Sequence, residues 1–130
     1  MRTLNNIQVS KDFKLYEFEC PCCGLVKLES VLLDAVQALR SYLNNPLSFD
    51  SAFRCQKHNK AVKGSPTSQH LFGTAVDIPD WRLPITTNPQ FLKKLGFTTV
   101  LYYPGKHFWH LDVRVREFYA NLLYVPTTKA

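Results

Sequence analysis

The chain has 130 residues, of which 45% are hydrophobic and 20% charged. This length and balance fit one compact domain with a modest core and make a second domain improbable. The sequence contains no run of about eighteen apolar residues, so no membrane-spanning helix is predicted. The formal net charge of +6 favours anionic surroundings such as nucleic acid, a membrane surface or a bacterial wall polymer. Simple solubility explains the excess equally well, because the basic residues are spread along the chain.

The first third of the chain contains one clear helix. Residues 7–19 have few turn residues and predict a short extended or single-turn segment laid on the core. A cysteine-rich turn follows at residues 20–24, where proline and glycine interrupt regular structure. Between Leu28 and Leu43, apolar residues recur at three- and four-residue intervals and define one face of a helix. The Asn-Asn-Pro run at 44–46 ends it.

The middle and end of the chain alternate short helices with strands. Composition and turn residues predict strands at 47–53, 74–78, 98–103 and 108–113, and helices at 56–62 and 88–95. The last two strands flank a Pro-Gly turn and predict an antiparallel hairpin. Together these elements predict an α+β fold: a single domain over residues 1–130, with a small antiparallel β-sheet and flanking helices. The pattern of the tail, residues 114–130, assigns no element.

The stretch from 68 to 77 is the most informative part of the sequence. It contains His70 and Asp77, and His110 lies about thirty residues on, in the second strand of the predicted hairpin. Gly73 would let the backbone turn so that His70 and Asp77 converge. Two histidines, one carboxylate and a position open to water form the usual catalytic zinc site, whereas structural zinc has four protein ligands. These residues therefore predict a catalytic zinc site.

Two motifs and two shorter matches carry a family resemblance. The motifs are Ser-x-His-x-x-Gly-x-Ala-x-Asp at 68–77 and His-x-Asp-x-Arg at 110–114. Upstream, Ser-Ala-Phe-Arg at 51–54 and His-Asn at 58–59 are similar to Ser-Gly-Tyr-Arg and His-Asn sequences of the same family. The chain thus resembles the zinc D-alanyl-D-alanine carboxypeptidase-type metallopeptidases, a group shared with lysostaphin-like peptidases and the hedgehog zinc fold. The resemblance covers residues 50–114, about half of the chain.

The resemblance implies a role for each matching residue. His70, Asp77 and His110 would hold one zinc ion, which would acidify a water molecule and polarise the scissile carbonyl. Arg54 resembles the family arginine that stabilises the negative transition state, a task suited to a permanently charged planar group. A surface salt bridge is the alternative for Arg54. Ser68 resembles a residue that hydrogen-bonds the substrate, and a turn cap is its alternative.

The chain departs from the family pattern at the position of the general base. Many relatives carry Glu or Asp three residues before the last ligand, where this chain has His107. Imidazole can accept a proton near neutral pH, and His107 is the slightly favoured candidate. Asp112 is the other candidate, because it shares a strand face with His110. It could instead orient a metal ligand while pairing with Arg114.

The four cysteines leave three states open. Cys20-x-x-Cys23 and Cys55-x-x-His58 have the spacing of a structural Cys3His zinc site, which would pin the amino-terminal segment beside the strand that carries Arg54. A disulfide from Cys55 to Cys20 or Cys23 would suit a protein that works outside the reducing cytosol. Free buried thiols are the third alternative.

The resemblance implies a zinc peptidase that cuts an amide bond in the peptide part of bacterial peptidoglycan, as an endopeptidase or a D-Ala-D-Ala carboxypeptidase. Small size, basic charge and the lack of an apolar signal segment resemble a bacteriophage endolysin, a monomer made in the host cytoplasm that acts on the cell wall. A non-catalytic zinc-fold module that binds the wall is the second hypothesis, motivated by the missing acidic residue at position 107. Nucleic acid is not expected as a partner, although Lys57, Lys60 and Lys63 form a local basic cluster.

Overall fold

A computed structural model describes residues 4–114 of the chain. Its α-helices, 3-10 helices and strands are α1 (Ser30–Leu43), α2 (Gln56–Ala61), α3 (Pro89–Lys94), the 3-10 helices Leu15–Phe18 and Gln69–Phe72, β1 (Ala75–Pro79), β2 (Thr99–Tyr103) and β3 (Phe108–Asp112). The predicted α+β fold, with a small antiparallel sheet and flanking helices, is confirmed. Within the described residues, no helix is long and apolar enough to cross a membrane.

The three strands form one antiparallel sheet in the order β1-β3-β2. β2 and β3 make the predicted hairpin, and β3 returns between the other two strands as the centre of the sheet. The register of β1 against β3 places Asp77 directly opposite His110. Since side chains alternate along a strand, the neighbours Val76 and Leu111 face the other side, where both are fully buried. One face of the sheet therefore builds the core, and the opposite face carries the predicted metal ligands.

Helix α1 supplies the other half of the core. Its buried residues are Leu32, Ala35, Val36 and Leu39, and they belong to the same apolar cluster as the core-facing residues of the sheet. This is the face that the three- and four-residue spacing predicted. The helix begins at Ser30, two residues later than the apolar pattern suggested, and ends where Asn44 takes the left-handed conformation with φ 52°.

The predicted strand at 47–53 is wrong in extent. Only Ser51 forms a bridge, opposite Asp77, with Asp50 N donating to Asp77 O at 2.8 Å and Asp77 N donating to Ser51 O at 2.8 Å. Beyond this point the backbone leaves β1, because Arg54 N donates to His70 O at 3.1 Å instead. The segment thus borders the ligand-bearing strand for a short distance and then turns away. The unassigned tail beyond 114 lies outside the described residues.

A glycine sets the path of the chain between the first two predicted ligands. Gly73 has φ 73° and ends the 3-10 helix Gln69–Phe72. A Cβ atom at this position would lie 2.5 Å from Lys27 O, and Gly73 O accepts a hydrogen bond from Glu29 N at 3.0 Å. The predicted turn between His70 and Asp77 is therefore present, and it needs glycine for both conformation and space.

Gly73→Ala is expected to lower the free energy of unfolding by about 2–4 kcal/mol, because left-handed strain adds to a contact with the Lys27 carbonyl that only a backbone shift relieves. Denaturant unfolding of the purified variant measures the loss. Gly105→Ala is the matched control, since a Cβ at that position meets no atom within 4 Å. Equal stability of the two variants would show that the Gly73 turn tolerates a side chain.

Candidate metal centre

Three elements bring the predicted ligands together. His70 lies on the 3-10 helix Gln69–Phe72, Asp77 is the middle residue of β1, and His110 is the middle residue of β3. Their candidate ligand atoms all lie within 4.8 Å of one another. Asp77 Oδ1 is 3.2 Å from His70 Nε2 and 3.0 Å from His110 Nδ1. The structure thus gathers these donors around one point, as a single metal ion requires.

In each of the two histidines, the ring nitrogen that faces away from Asp77 has a hydrogen-bond partner. His70 Nδ1 lies 2.6 Å from Ala52 O, and His110 Nε2 lies 2.8 Å from Asp112 Oδ2. A neutral imidazole that donates from one nitrogen presents a lone pair on the other. The lone pairs of His70 Nε2 and His110 Nδ1 would therefore point towards Asp77. Anchoring of this kind is what metal-binding histidines usually show, so the donor set fits a metal ion.

The charge on Asp77 also favours a cation. Asp77 is only 6% exposed. Burial acts to raise the pKa of Asp77, but hydrogen bonds from His110 and His70 lower it to about 2. Burial acts to lower the pKa of His110, but its hydrogen bonds with Asp112 and Asp77 raise it to about 9. A buried carboxylate that stays ionised needs positive charge beside it, and a metal ion would supply that charge in place of imidazole protons.

Asp112 contacts the side of His110 that faces away from Asp77. It is fully buried, and its carboxylate also accepts hydrogen bonds from Arg114 Nε at 3.2 Å and Nη2 at 2.9 Å. Burial acts to raise the pKa of Asp112, but the His110 and Arg114 contacts hold it well below its ordinary range. An ionised carboxylate engaged in this way fits the orienting role, which the sequence left open beside that of general base.

Asp112→Asn is expected to weaken metal binding by about 10- to 100-fold, because the His110 ring loses the charged acceptor that fixes its tautomer and orientation. Competition with a chromogenic chelator measures this affinity. With metal in excess, most of the activity should return. Unchanged affinity combined with activity lost at saturating metal would instead identify Asp112 as the base.

Arg54 lies beside the ligand carboxylate and is not merely a surface salt bridge. Its Nε donates to Ser51 Oγ at 3.1 Å, and its Nη1 donates to Asn59 Oδ1 at 3.0 Å. Its Nη2 lies 3.7 Å from Asp77 Oδ2. Burial lowers the pKa of Arg54 and the negative charge of Asp77 opposes that change. Two neutral side chains therefore fix a cationic guanidinium next to the candidate metal ligand.

Arg54 also lines a groove to which none of the three proposed metal ligands contributes. Its volume is roughly 370 Å³. Its lining residues are Lys27, Phe53, Arg54, Cys55, Gln56, Pro66, Leu71 and Phe72. Its lining thus combines two basic residues, Lys27 and Arg54, with mainly apolar ones.

Ser68 contacts the backbone of a proposed ligand, whereas the partner of His107 is Asp80. Ser68 Oγ accepts a hydrogen bond from His70 N at 3.2 Å, so Ser68 caps the 3-10 helix, as its turn-cap alternative predicted. His107 lies in the hairpin turn with φ 59°. Its side chain is 76% exposed, and its Nδ1 is 3.2 Å from Asp80 Oδ2. Asp80 Oδ2 also accepts a hydrogen bond from Tyr102 at 2.7 Å.

Two polar residues near the site were missed by the sequence analysis as contributors. Asp80 holds His107, and its only sequence signal is its place just after the strand that carries Asp77. Asn59 holds Arg54, and its buried amide also donates to Ser65 O at 2.9 Å. The His-Asn match pointed to this position without indicating what the asparagine contacts.

The cysteines form a second group of potential metal ligands. The sulfur atoms of Cys20, Cys22, Cys23 and Cys55 all lie within 4.8 Å of one another, and none of the four is joined in a disulfide. The three predicted cysteines meet, but the fourth member is Cys22 and not His58, whose backbone N–H donates to Cys55 Sγ at 3.3 Å. Spacing favoured His58, because an adjacent pair of cysteines does not reveal that both side chains face the same point.

Comparison with known proteins identifies a family. The model of the Peptidase M15 family matches residues 11–112, a span that includes all three histidine and aspartate ligands and the cysteine group. No curated protein matches the chain. The match covers well over half of the sequence, and it agrees with a site whose donors fit a metal ion. The chain therefore belongs to the Peptidase M15 family.

Proposed function

We propose that this protein is a zinc-dependent peptidase that hydrolyses an amide bond in the peptide part of bacterial peptidoglycan. The observation that carries the proposal is the position of Asp77 Oδ1, 3.2 Å and 3.0 Å from two imidazole nitrogens whose rings are both anchored from behind. Membership of the Peptidase M15 family supports it. When bound by His70, Asp77 and His110, zinc would lower the pKa of a water molecule and polarise the scissile carbonyl.

Arg54 would stabilise the negative charge that develops on the carbonyl oxygen. An arginine has five N–H donors, and Ser51 and Asn59 each accept one of those of Arg54. The guanidinium is thereby fixed before substrate arrives, so little reorganisation is needed in the transition state. Its Nη2, 3.7 Å from Asp77 Oδ2, would lie next to the bond that is cut.

His107 would accept the proton of the attacking water. Its Nδ1 faces Asp80, which leaves Nε2 on the exposed side of the ring as the acceptor. The negative charge of Asp80 would stabilise the imidazolium that forms, as carboxylate partners of catalytic histidines do. The same histidine could then return the proton to the leaving amine.

The basic groove supports a peptidoglycan substrate. The peptides of this polymer carry free carboxylates, which Lys27 and Arg54 would attract and orient. The net charge of +6 would favour approach to an anionic wall. We further propose that the protein acts there as a monomeric bacteriophage endolysin after synthesis in the host cytoplasm.

Mass analysis of purified peptidoglycan tests the reaction. New amino and carboxyl termini are expected in the digest of the zinc-loaded protein and are expected to disappear with a chelator or in His110→Ala. The masses of the products identify the bond. Release of no fragments under any metal condition, together with sedimentation of the protein with the wall, would favour a wall-binding module instead.

One observation favours the wall-binding module: the favoured base is an exposed histidine and not a carboxylate.

His107→Ala is expected to lower the turnover of the zinc-loaded protein by about 10²–10⁴-fold, the usual contribution of a general base, while leaving bound zinc unchanged. Retention of full activity would assign proton transfer to another group.

A further inference from the structure

The cysteine group is built from two separate parts of the chain. Cys20, Cys22 and Cys23 lie in one tight turn, and Cys55 lies at the start of α2. The sulfur–sulfur distances are 3.7 Å for Cys20–Cys22, 3.7 Å for Cys20–Cys55 and 3.4 Å for Cys22–Cys55. Cys23 Sγ lies within 4.8 Å of the other three sulfurs. All four are therefore neighbours, although Cys55 is separated from the rest by more than thirty residues.

These distances fit a tetrahedral metal site and do not fit a disulfide. Zinc–sulfur bonds of about 2.3 Å in a tetrahedron separate the sulfurs by about 3.8 Å. A disulfide needs about 2.05 Å between two sulfurs and would leave the other two cysteines without a role. A set of four thiolates closed around one ion is a usual structural zinc site.

The backbone around the sulfurs is arranged to stabilise thiolates. Cys55 N donates to Cys20 Sγ at 3.5 Å, and His58 N donates to Cys55 Sγ at 3.3 Å. Cys23 also has a backbone hydrogen bond, from Leu25. Hydrogen bonds of this kind orient metal-binding sulfurs and offset their negative charge. The His58 bond is also the N-terminal cap of α2, so the helix start and the sulfur group share this contact.

The turn that presents three of the sulfurs is itself well defined. Gly24 N donates to Cys20 O at 2.8 Å, and Cys20 N donates to Leu25 O at 2.7 Å. Gly24 takes φ 77°, a conformation that favours glycine. The backbone therefore folds back on itself and presents its sulfurs to the start of α2.

We propose that Cys20, Cys22, Cys23 and Cys55 bind a structural zinc ion, separate from the site of the two histidines and Asp77. Zinc would replace the thiol protons, which pass to solvent, so binding needs no oxidant. The ion would hold the amino-terminal segment against the start of α2.

This second site would also position the catalytic arginine. Arg54 directly precedes Cys55, and α2 contributes Asn59, which accepts a hydrogen bond from Arg54 at 3.0 Å. Loss of the ion would free the start of α2 and with it the Asn59 contact that orients the guanidinium. The zinc-bound thiolates thus act on the reaction through Arg54 and do not contact substrate.

Zinc content of the full chain tests the proposal, with His110→Ala used to empty the first site. Two ions per chain are expected for the unmodified protein, one for His110→Ala, and fewer than about one-tenth of an ion when Cys22→Ser is added. His58→Ala in the His110→Ala background is the matched control and is expected to keep its ion. Loss of zinc in this control, with retention in Cys22→Ser, would overturn the four-cysteine site and show that His58 is the fourth ligand instead.

Cobalt substitution gives a second readout that does not depend on the folding of a cysteine variant. In His110→Ala, bound cobalt is expected to show intense thiolate-to-metal absorption and a tetrahedral visible spectrum. Chelation is expected to lower the midpoint of thermal unfolding by at least about 10 °C. A metal-free chain with a mass lower by two hydrogens would show a disulfide and overturn the proposal. Four thiols that react at once, with no metal bound, would overturn it as well.

Discussion

Asp77→Asn is expected to remove zinc from the histidine–aspartate site and to lower peptidase activity by about 10³-fold or more, equivalent to several kcal/mol of transition-state stabilisation. The amide keeps the size of the side chain and loses its charge. Asp77 Oδ1 is the only carboxylate oxygen between the two imidazoles among the described residues. Metal content and the rate of peptide release, measured on the same preparation, report both losses.

Asp34→Asn is the matched control for this substitution, because Asp34 is an exposed residue of α1. It removes the same charge from the chain and should change neither zinc content nor rate. Asp77→Asn that binds zinc normally and still loses activity would point to a different role for this carboxylate. Full activity in Asp77→Asn would end the zinc-peptidase proposal.

The sequence predicted those parts of the fold that depend on local pattern. The apolar spacing of α1 and the turn residues between β2 and β3 specify their elements without help from the rest of the chain. The segment 47–53 has equally good strand composition and forms only one bridge, at Ser51. Its backbone is drawn away by contacts with His70 and Phe18, and such long-range competition leaves no trace in local composition.

In the site too, the sequence predicted the residues that belong to local motifs and missed the partners that distant segments contribute. His70, Asp77 and His110 follow from motif spacing, and their convergence requires only the turn at Gly73 and the pairing of two strands. The partners behind the ligands come from elsewhere: Ala52 contributes a backbone oxygen, which carries no residue-type signal. The membership of Cys22 in the sulfur group likewise depends on how one turn meets the start of α2.

Arg54→Ala is expected to lower turnover by about 10²–10³-fold, as removal of a single oxyanion donor does, while zinc binding is retained. Arg54→Lys is expected to recover little, because an ammonium group cannot donate to Ser51 and Asn59 and still face the substrate as a planar guanidinium does. Single-turnover rates and zinc content separate the two effects. Loss of zinc in Arg54→Ala would show that the arginine mainly supports Asp77.

Gly64→Ala should reproduce much of the Arg54 defect without changing the arginine itself. A Cβ at Gly64 would clash with Asn59 Oδ1 and lie 2.8 Å from Arg54 Nη1, so the Asn59–Arg54 hydrogen bond cannot persist in place. Gly105→Ala adds the same methyl group where no atom lies within 4 Å and is expected to keep full activity. Turnover that falls at least about 10-fold in Gly64→Ala, with zinc content unchanged, would show that a preorganised guanidinium is required and that the charge of Arg54 alone is insufficient. Equal turnover in the two alanine variants would show that Arg54 needs no support from Asn59.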